Sequence, residues 1–301
     1  MTYVPNYRQF GNGAVHLRAV GAYDTTEGLD LDVIRQRVPS VFAEGAHSSR
    51  SERFTFIPTG DVLAGLIREG FVPVEVRQGG SRIAGKAAFT KHSVRLRQRG
   101  TAPGIVGVSD QVYPEIVISN AHDGTGAYVL NAGGYRVLCK NGLVASSSFS
   151  EQRVPHKGNV IDNVIEGVFS VVEDLPRITD QANEWAHLPI APAQQVAFAR
   201  AALQLRWQPE EDATGSLVST APIEGDVLNR ARRIGDQGAD VWRTFNRVQE
   251  GLLRGGQHYV SRNRNGRNTN RHVGTVNSVD DNRRLNQALW TLTEELAKAV
   301  A

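Results

Sequence analysis

Two stretches of the chain are rich in arginine and hold no acid, a pattern suited to gripping a polyanion. Residues 76–100 carry Arg77, Arg82, Lys86, Lys91, Arg95, Arg97 and Arg99, and residues 251–279 carry Arg254, Arg262, Arg264, Arg267 and Arg271. Together they contain 12 of the 34 basic residues and none of the 31 acidic ones, so the remainder has 22 basic against 31 acidic side chains. Each phosphate neutralised by such a group releases condensed counterion, which makes nucleic acid the partner this segregation fits best. The second stretch adds Tyr259 and several asparagines, and arginine beside an aromatic ring is how single strands are held without reading their sequence. The plainer roles are a charged strand face that discourages edge pairing, or arginines engaged by acids of a neighbouring subunit. Arginine outnumbers lysine 29 to 5, which suits bidentate phosphate contacts but follows equally from a GC-rich coding bias.

Other spacings point at reactions and stop short of them. Gly80, Gly85 and Lys86 stand at the intervals of a phosphate-cradling loop, yet Ala87 occupies the position where such a loop needs a hydroxyl for magnesium, and an alternating stretch follows where it needs a helix. A hairpin turn carrying Arg82 and Lys86 is the better reading. His122 beside Asp123 offers acid–base or metal chemistry, whereas Asp-Gly-Thr-Gly at 123–126 is also ordinary turn chemistry, and none of the eight histidines stands at a two-histidine metal spacing. Cys139, the sole cysteine, reads as a small buried hydrophobe in a strand. Asp61 followed by Glu75-Val-Arg77 faintly echoes a magnesium nuclease without its lysine, and an ion pair between Glu75 and Arg77 is the simpler use of those charges. No catalytic residue, metal or cofactor is expected.

These residues must be positioned by sheet and helix. Residues 29–41 fit a short amphipathic helix, and 54–58 read as a strand. Thr59 then caps a helix closed by Gly70. Residues 71–77 alternate as a half-buried strand, and 87–99 alternate again, with Lys91, Arg95, Arg97 and Arg99 on a face expected to be exposed and basic. Further strands fall at 115–119, 127–130, 133–139 and 143–146, with Lys140-Asn-Gly142 as a type I′ turn. After Gly158 the period lengthens to that of a helix ending near Pro176, with more helical sequence to His187. Residues 193–207 and 227–253 look helical, 254–277 read as a flexible arm without periodicity, and a last helix covers 280–300.

With 301 residues and 40% hydrophobic composition the chain can bury a large core without staples. One cysteine excludes an internal disulfide, the first residues lack a signal sequence, and no apolar run of about 18 residues occurs, so a cytoplasmic protein without a membrane partner is expected.

Residues 115–146, EIVISNAHDGTGAYVLNAGGYRVLCKNGLVAS, resemble the centre of a phage- and plasmid-borne family labelled "domain of unknown function 932". The likeness rests on Ser119, Asn120, His122, Asp123, Gly124, Ala127 and Tyr128, then on Tyr135, Arg136, Cys139, Asn141, Gly142 and Leu143, and on the stretch from Asp281 to Trp290 that resembles the family's closing helix. The resemblance implies a mobile-element origin and transfers no active site. Element order alone is also similar to the Rad52-like single-strand annealing proteins.

The expectation is therefore an α+β protein, an antiparallel β-meander packed on a long helix with a helical C-terminal portion. It divides into an N-terminal segment 1–53, a core 54–190 and a region 191–301 with the basic arm 254–277. Its function is expected to be non-enzymatic binding of nucleic acid, single-stranded DNA preferred, in recombination or replication of a mobile element, as a homo-oligomer and possibly a ring. The contacts would be Arg77, Arg82, Lys86, Lys91, Arg95, Arg97 and Arg99 with Tyr259, Arg262, Arg264, Arg267 and Arg271. A metal-dependent nuclease and an oligomeric interaction protein are the alternatives.

Overall fold

A computed structural model describes residues 18–21, 27–52, 54–139, 141–145, 151–154, 160–262 and 265–301. After β1 (Arg18–Gly21), the Asp30 carboxylate accepts the amides of Asp32 and Val33 and so starts α1 (Leu31–Arg37), with a 3-10 turn at Pro39–Phe42 behind it. Residues 54–58 run without a ladder, and α2 (Thr59–Arg68) begins at Thr59 without a side-chain cap. The Thr59 hydroxyl is buried between His92 and Asn120, so the capping role read from sequence does not hold. Gly70, at φ +89°, ends α2 and turns the chain into β2 (Phe71–Gln78).

Antiparallel strands follow: β3 (His92–Gln98), β4 (Gly104–Val106), β5 (Asp110–Asn120), β6 (Tyr128–Arg136), β7 (Asn141–Val144) and β8 (Gln152–Val154). They form an eight-stranded sheet ordered β1-β2-β3-β5-β6-β7, with β4 added to β5 and β8 to β6. The turn between β6 and β7 lies at Val137–Cys139, while Asn141 and Gly142 pair with Arg136 and Tyr135 inside the ladder. Asn141-Gly142 is thus not a hairpin turn.

One face of the sheet carries Val76, Val94, Leu96, Ile116, Ile118, Leu130 and Ala132, and α3 (Val160–His187) lies on it with Val164, Val168, Val171, Leu175 and Ile178 buried. The helix continues through Pro176. A missing amide costs one intrahelical bond, and apolar burial on both sides, at Leu175 and Ile178, outweighs it. Next come α4 (Pro192–Arg206), a small exposed hairpin of β9 (Glu210–Glu211) and β10 (Leu217–Val218), α5 (Gly225–Leu228) and α6 (Val241–Arg254). The single helix expected over 227–253 is therefore interrupted, with Gly235 and Gly238 inside the break.

The supposed arm is ordered as a second hairpin, β11 (His258–Arg262) against β12 (Asn268–His272). Finally α7 (Val279–Val300) starts with the Ser278 hydroxyl accepting the Asp281 amide. Trp185 of α3, Trp242 and Phe245 of α6 and Trp290 of α7 stack in one aromatic knot, with centroids 4.6–5.8 Å apart. The hydrophobic cluster extends without interruption from Leu29 to Ala297. The architecture is α+β. Among the described residues no helix is long and apolar enough to cross a membrane.

Candidate nucleic-acid interface

Arg77, Arg95 and Arg97 share one face of the sheet, as their parity predicts, but that face is not solvent. Glu75 reaches it from β2 and Glu115 from β5. Arg95 Nε donates to Glu115 Oε2 at 2.7 Å, Arg97 Nη2 to Glu115 Oε1 at 2.8 Å, and Arg77 Nε to Glu75 Oε1 at 2.5 Å. Arg95 also donates to the carbonyls of Gly134 and Leu143, and the Arg97 guanidinium lies 3.7 Å over the Tyr113 ring. Gly142 makes room for this layer, since a β-carbon there would stand 2.8 Å from the Arg95 guanidinium carbon. Val279, Asn282 and Arg283 of α7 line a cavity together with Glu75, Arg77 and Arg95; Arg95 and Arg97 are each 6% exposed and Glu115 is fully buried. The expected exposed basic face is therefore a buried charge network, in which Arg95 and Arg97 are engaged by Glu115 and closed to a phosphate.

The rest of the first stretch is mostly paired too. Lys86 meets Asp123 at 3.2 Å, Lys91 meets Asp280 and the Thr125 carbonyl, and Arg99 meets Glu27 at 3.3 Å on the surface. Only a three-residue 3-10 turn, Ala87–Phe89, follows Lys86, so no helix end is available for a phosphate-cradling loop. Arg82 is exposed, and no hydrogen bond or ion pair engages its side chain among the described residues. Lys86 and Lys91 line a solvent-open cavity of about 460 Å³ with Gly79, Ser81, Asp123 and Asp280, where the two basic stretches meet. Burial alone would raise the Asp123 carboxyl, but hydrogen bonds from Thr125 and Lys86 outweigh it and hold the group below the usual carboxylate range.

The signature residues of the centre are structural joints. Asn120 donates to the Ile57 carbonyl and the Thr59 hydroxyl, and His92 Nε2 lies 2.9 Å from that same hydroxyl. Burial, then the neighbouring His122, pushes the His92 imidazole down to about 3, so the ring is neutral at ordinary pH. His122 lies between Phe56 and His92, and among the described residues no group of three metal-ligating side chains gathers there or elsewhere. Arg136, 1% exposed, bridges Asp110 of β5 to Asp236 in the break before α6, and Trp242 donates to the same Asp110 oxygen. Cys139 is buried.

The second stretch behaves differently. β11 and β12 pair only with each other and present mostly exposed residues. Arg262 lies opposite Asn268 and Arg271 opposite Tyr259, on opposite faces of the ribbon. Both are exposed, and no carboxylate or hydrogen-bond partner engages either side chain among the described residues. Arg267 is exposed near the tip, and Arg264 lies outside the described residues. Tyr259 packs against the hydrophobic cluster, so its ring is not available as an open stacking platform. The two stretches thus do not merge into one cationic track; among the described residues the open cations of the two sets are Arg82, Arg262 and Arg271. What sequence reasoning missed were the partners Glu115 and Asp280, which lie outside both windows.

The chain is 39% identical over 259 residues to "UPF0380 protein YafZ" of Escherichia coli (strain K12), an alignment covering 86% of this chain and 88% of that protein. It is 39% identical over the same length to "UPF0380 protein YfjQ" of the same organism, with the same coverage. No solved structure matches the chain, and no comparison supports the likeness in element order to the Rad52-like proteins. A family model described as "Domain of unknown function (DUF932)" matches residues 46–290, which hold the buried network, the Arg136 bridge and the hairpin, and the chain belongs to that family.

Proposed function

We propose that this protein binds nucleic acid and that its contact element is the β11–β12 ribbon. The observation that supports it is a projecting hairpin with Arg262, Arg267 and Arg271 on an acid-free stretch, Arg262 and Arg271 having no carboxylate partner among the described residues. Unpaired guanidiniums are free to take phosphate oxygens in bidentate fashion and release counterions. A two-stranded ribbon also has the width that the major groove of a duplex, about 12 Å across, admits. With the Tyr259 ring packed against the hydrophobic cluster no aromatic platform is open for unstacked bases, which favours duplex over single-stranded DNA. Arg82 is a second, sequence-independent phosphate contact. The setting we infer is the recombination or replication of a mobile element, as the family resemblance implies.

The test is a salt titration of the full-length chain against labelled duplex and single-stranded DNA, repeated with the double variant R262E/R271E. The expected outcome is tighter binding to duplex, with affinity reduced at least about tenfold in the variant and a shallower dependence on salt. Equal affinity and equal slope in the two proteins overturn the proposal.

A further inference from the structure

The hairpin that carries the arginines also holds two imidazoles in close, tilted contact. His258 and His272 are directly paired residues at the end of the ladder away from the turn, with ring centroids 3.8 Å apart and planes at 54°. Both are exposed. The strands beneath them are tied down: the Gly256 amide donates to the Val273 carbonyl, the Val273 amide to the Gln257 carbonyl, and Arg232 to the Gly255 carbonyl. Gln257 and Val273 are themselves buried. The separation of the two rings is thus set by an anchored backbone.

We infer that His258 and His272 form a two-ligand site for a divalent transition ion of the copper, nickel and zinc class. Neutral imidazole is the commonest protein ligand for these ions, and Cu2+ stands highest among them in affinity. Two nitrogens bound at about 2.0–2.1 Å to one ion stand roughly 3 Å apart, within reach of rings centred 3.8 Å from each other. Among the described residues no third histidine, cysteine or carboxylate joins them, so the ion's other positions are open to water or to an external ligand. The pairing is invisible as a spacing, because the residues are neighbours only through the register of the hairpin.

The experiment titrates the untagged, full-length chain with CuCl2 in a non-chelating buffer, followed by calorimetry and by electron paramagnetic resonance, beside H258N, H272N and H258N/H272N. The wild type is expected to take one Cu2+ with two nitrogen donors at its tightest site. Each single variant should bind it at least about tenfold more weakly, since the second ligand no longer acts at high effective concentration, and the double variant should lose the site. Asn270→Ala, on the same face, controls for disturbance of the ribbon and keeps wild-type uptake. Equal copper uptake by the wild type and the double variant, or nitrogen signatures unchanged by either substitution, overturns the inference. No nucleic acid enters this experiment, so its outcome is separate from that of the DNA titration.

Discussion

Arg95 and Arg262 both lie on antiparallel strands, both stand among uncharged neighbours, and both belong to stretches without an acid. Arg95 is nonetheless buried against Glu115 and within 3.9 Å of Glu75, while Arg262 is exposed with no carboxylate on it among the described residues. The difference lies in the neighbouring strands. β3 runs between β2 and β5, each of which brings a glutamate to the shared face; β11 has only β12 beside it, and that strand carries none. A cation is free or engaged according to what the adjacent strand supplies, and acid depletion within a window of sequence does not report it.

The sharpest way to break this contrast is Glu115→Gln, which keeps the shape and leaves two buried guanidiniums without their carboxylate. Removing one partner of a buried pair costs about 3–5 kcal/mol, and urea unfolding should show a loss of that size; a loss below about 1 kcal/mol, the range of exposed pairs, would erase the distinction. The buried histidine of the sheet gives a second test. The folded protein refuses a proton on His92 until about pH 3, whereas the unfolded chain takes one near its ordinary value of 6.5, so stability falls as pH drops through that window. His92→Gln should flatten this acid limb in denaturation series between pH 7 and 4. Asp280→Asn releases Lys91 where the two stretches meet, and because Asp280 is half exposed the expected loss is at most about 1 kcal/mol by thermal unfolding. Smallest of all, R262E/R271E should alter stability by no more than about 0.5 kcal/mol while impairing DNA binding; a large drop in melting temperature would mean that these arginines hold the fold.

Much of the fold was legible because its apolar residues keep a period. β2, β3, β5, α3 and α7 follow directly from alternation or from a helical stripe, and even the parity of Arg77, Arg95 and Arg97 reads correctly. Their burial does not, since neither the α7 residues beside Arg77 and Arg95 nor Tyr113 beneath Arg97 announces in the sequence which face it will meet. Gly142 was misread because an Asn-Gly pair fits a turn as well as it fits a strand over which a guanidinium must lie. The hairpin escaped for a related reason: in HYVSR and NTNRH the two apolar side chains, Tyr259 and Val260, are adjacent and fall on opposite parities, so neither face reads as an apolar stripe. Of the candidate contacts, Arg82 on its loop and Arg262 and Arg271 on the hairpin are open among the described residues, because no neighbouring strand brings a carboxylate to them.

The residues beside Glu75, Arg77 and Arg95 on the charged face include Val279, Asn282 and Arg283, which follow every strand of that sheet in the chain. During translation every strand of that sheet leaves the ribosome well before they do, so Glu75, Arg77 and Arg95 wait in water until α7 has been made. A ribosome stalled shortly before codon 279 would hold a sheet with its ionic layer wet and its last helix missing, a state that should be recognised by cellular quality control and cut by protease far more readily than the finished protein.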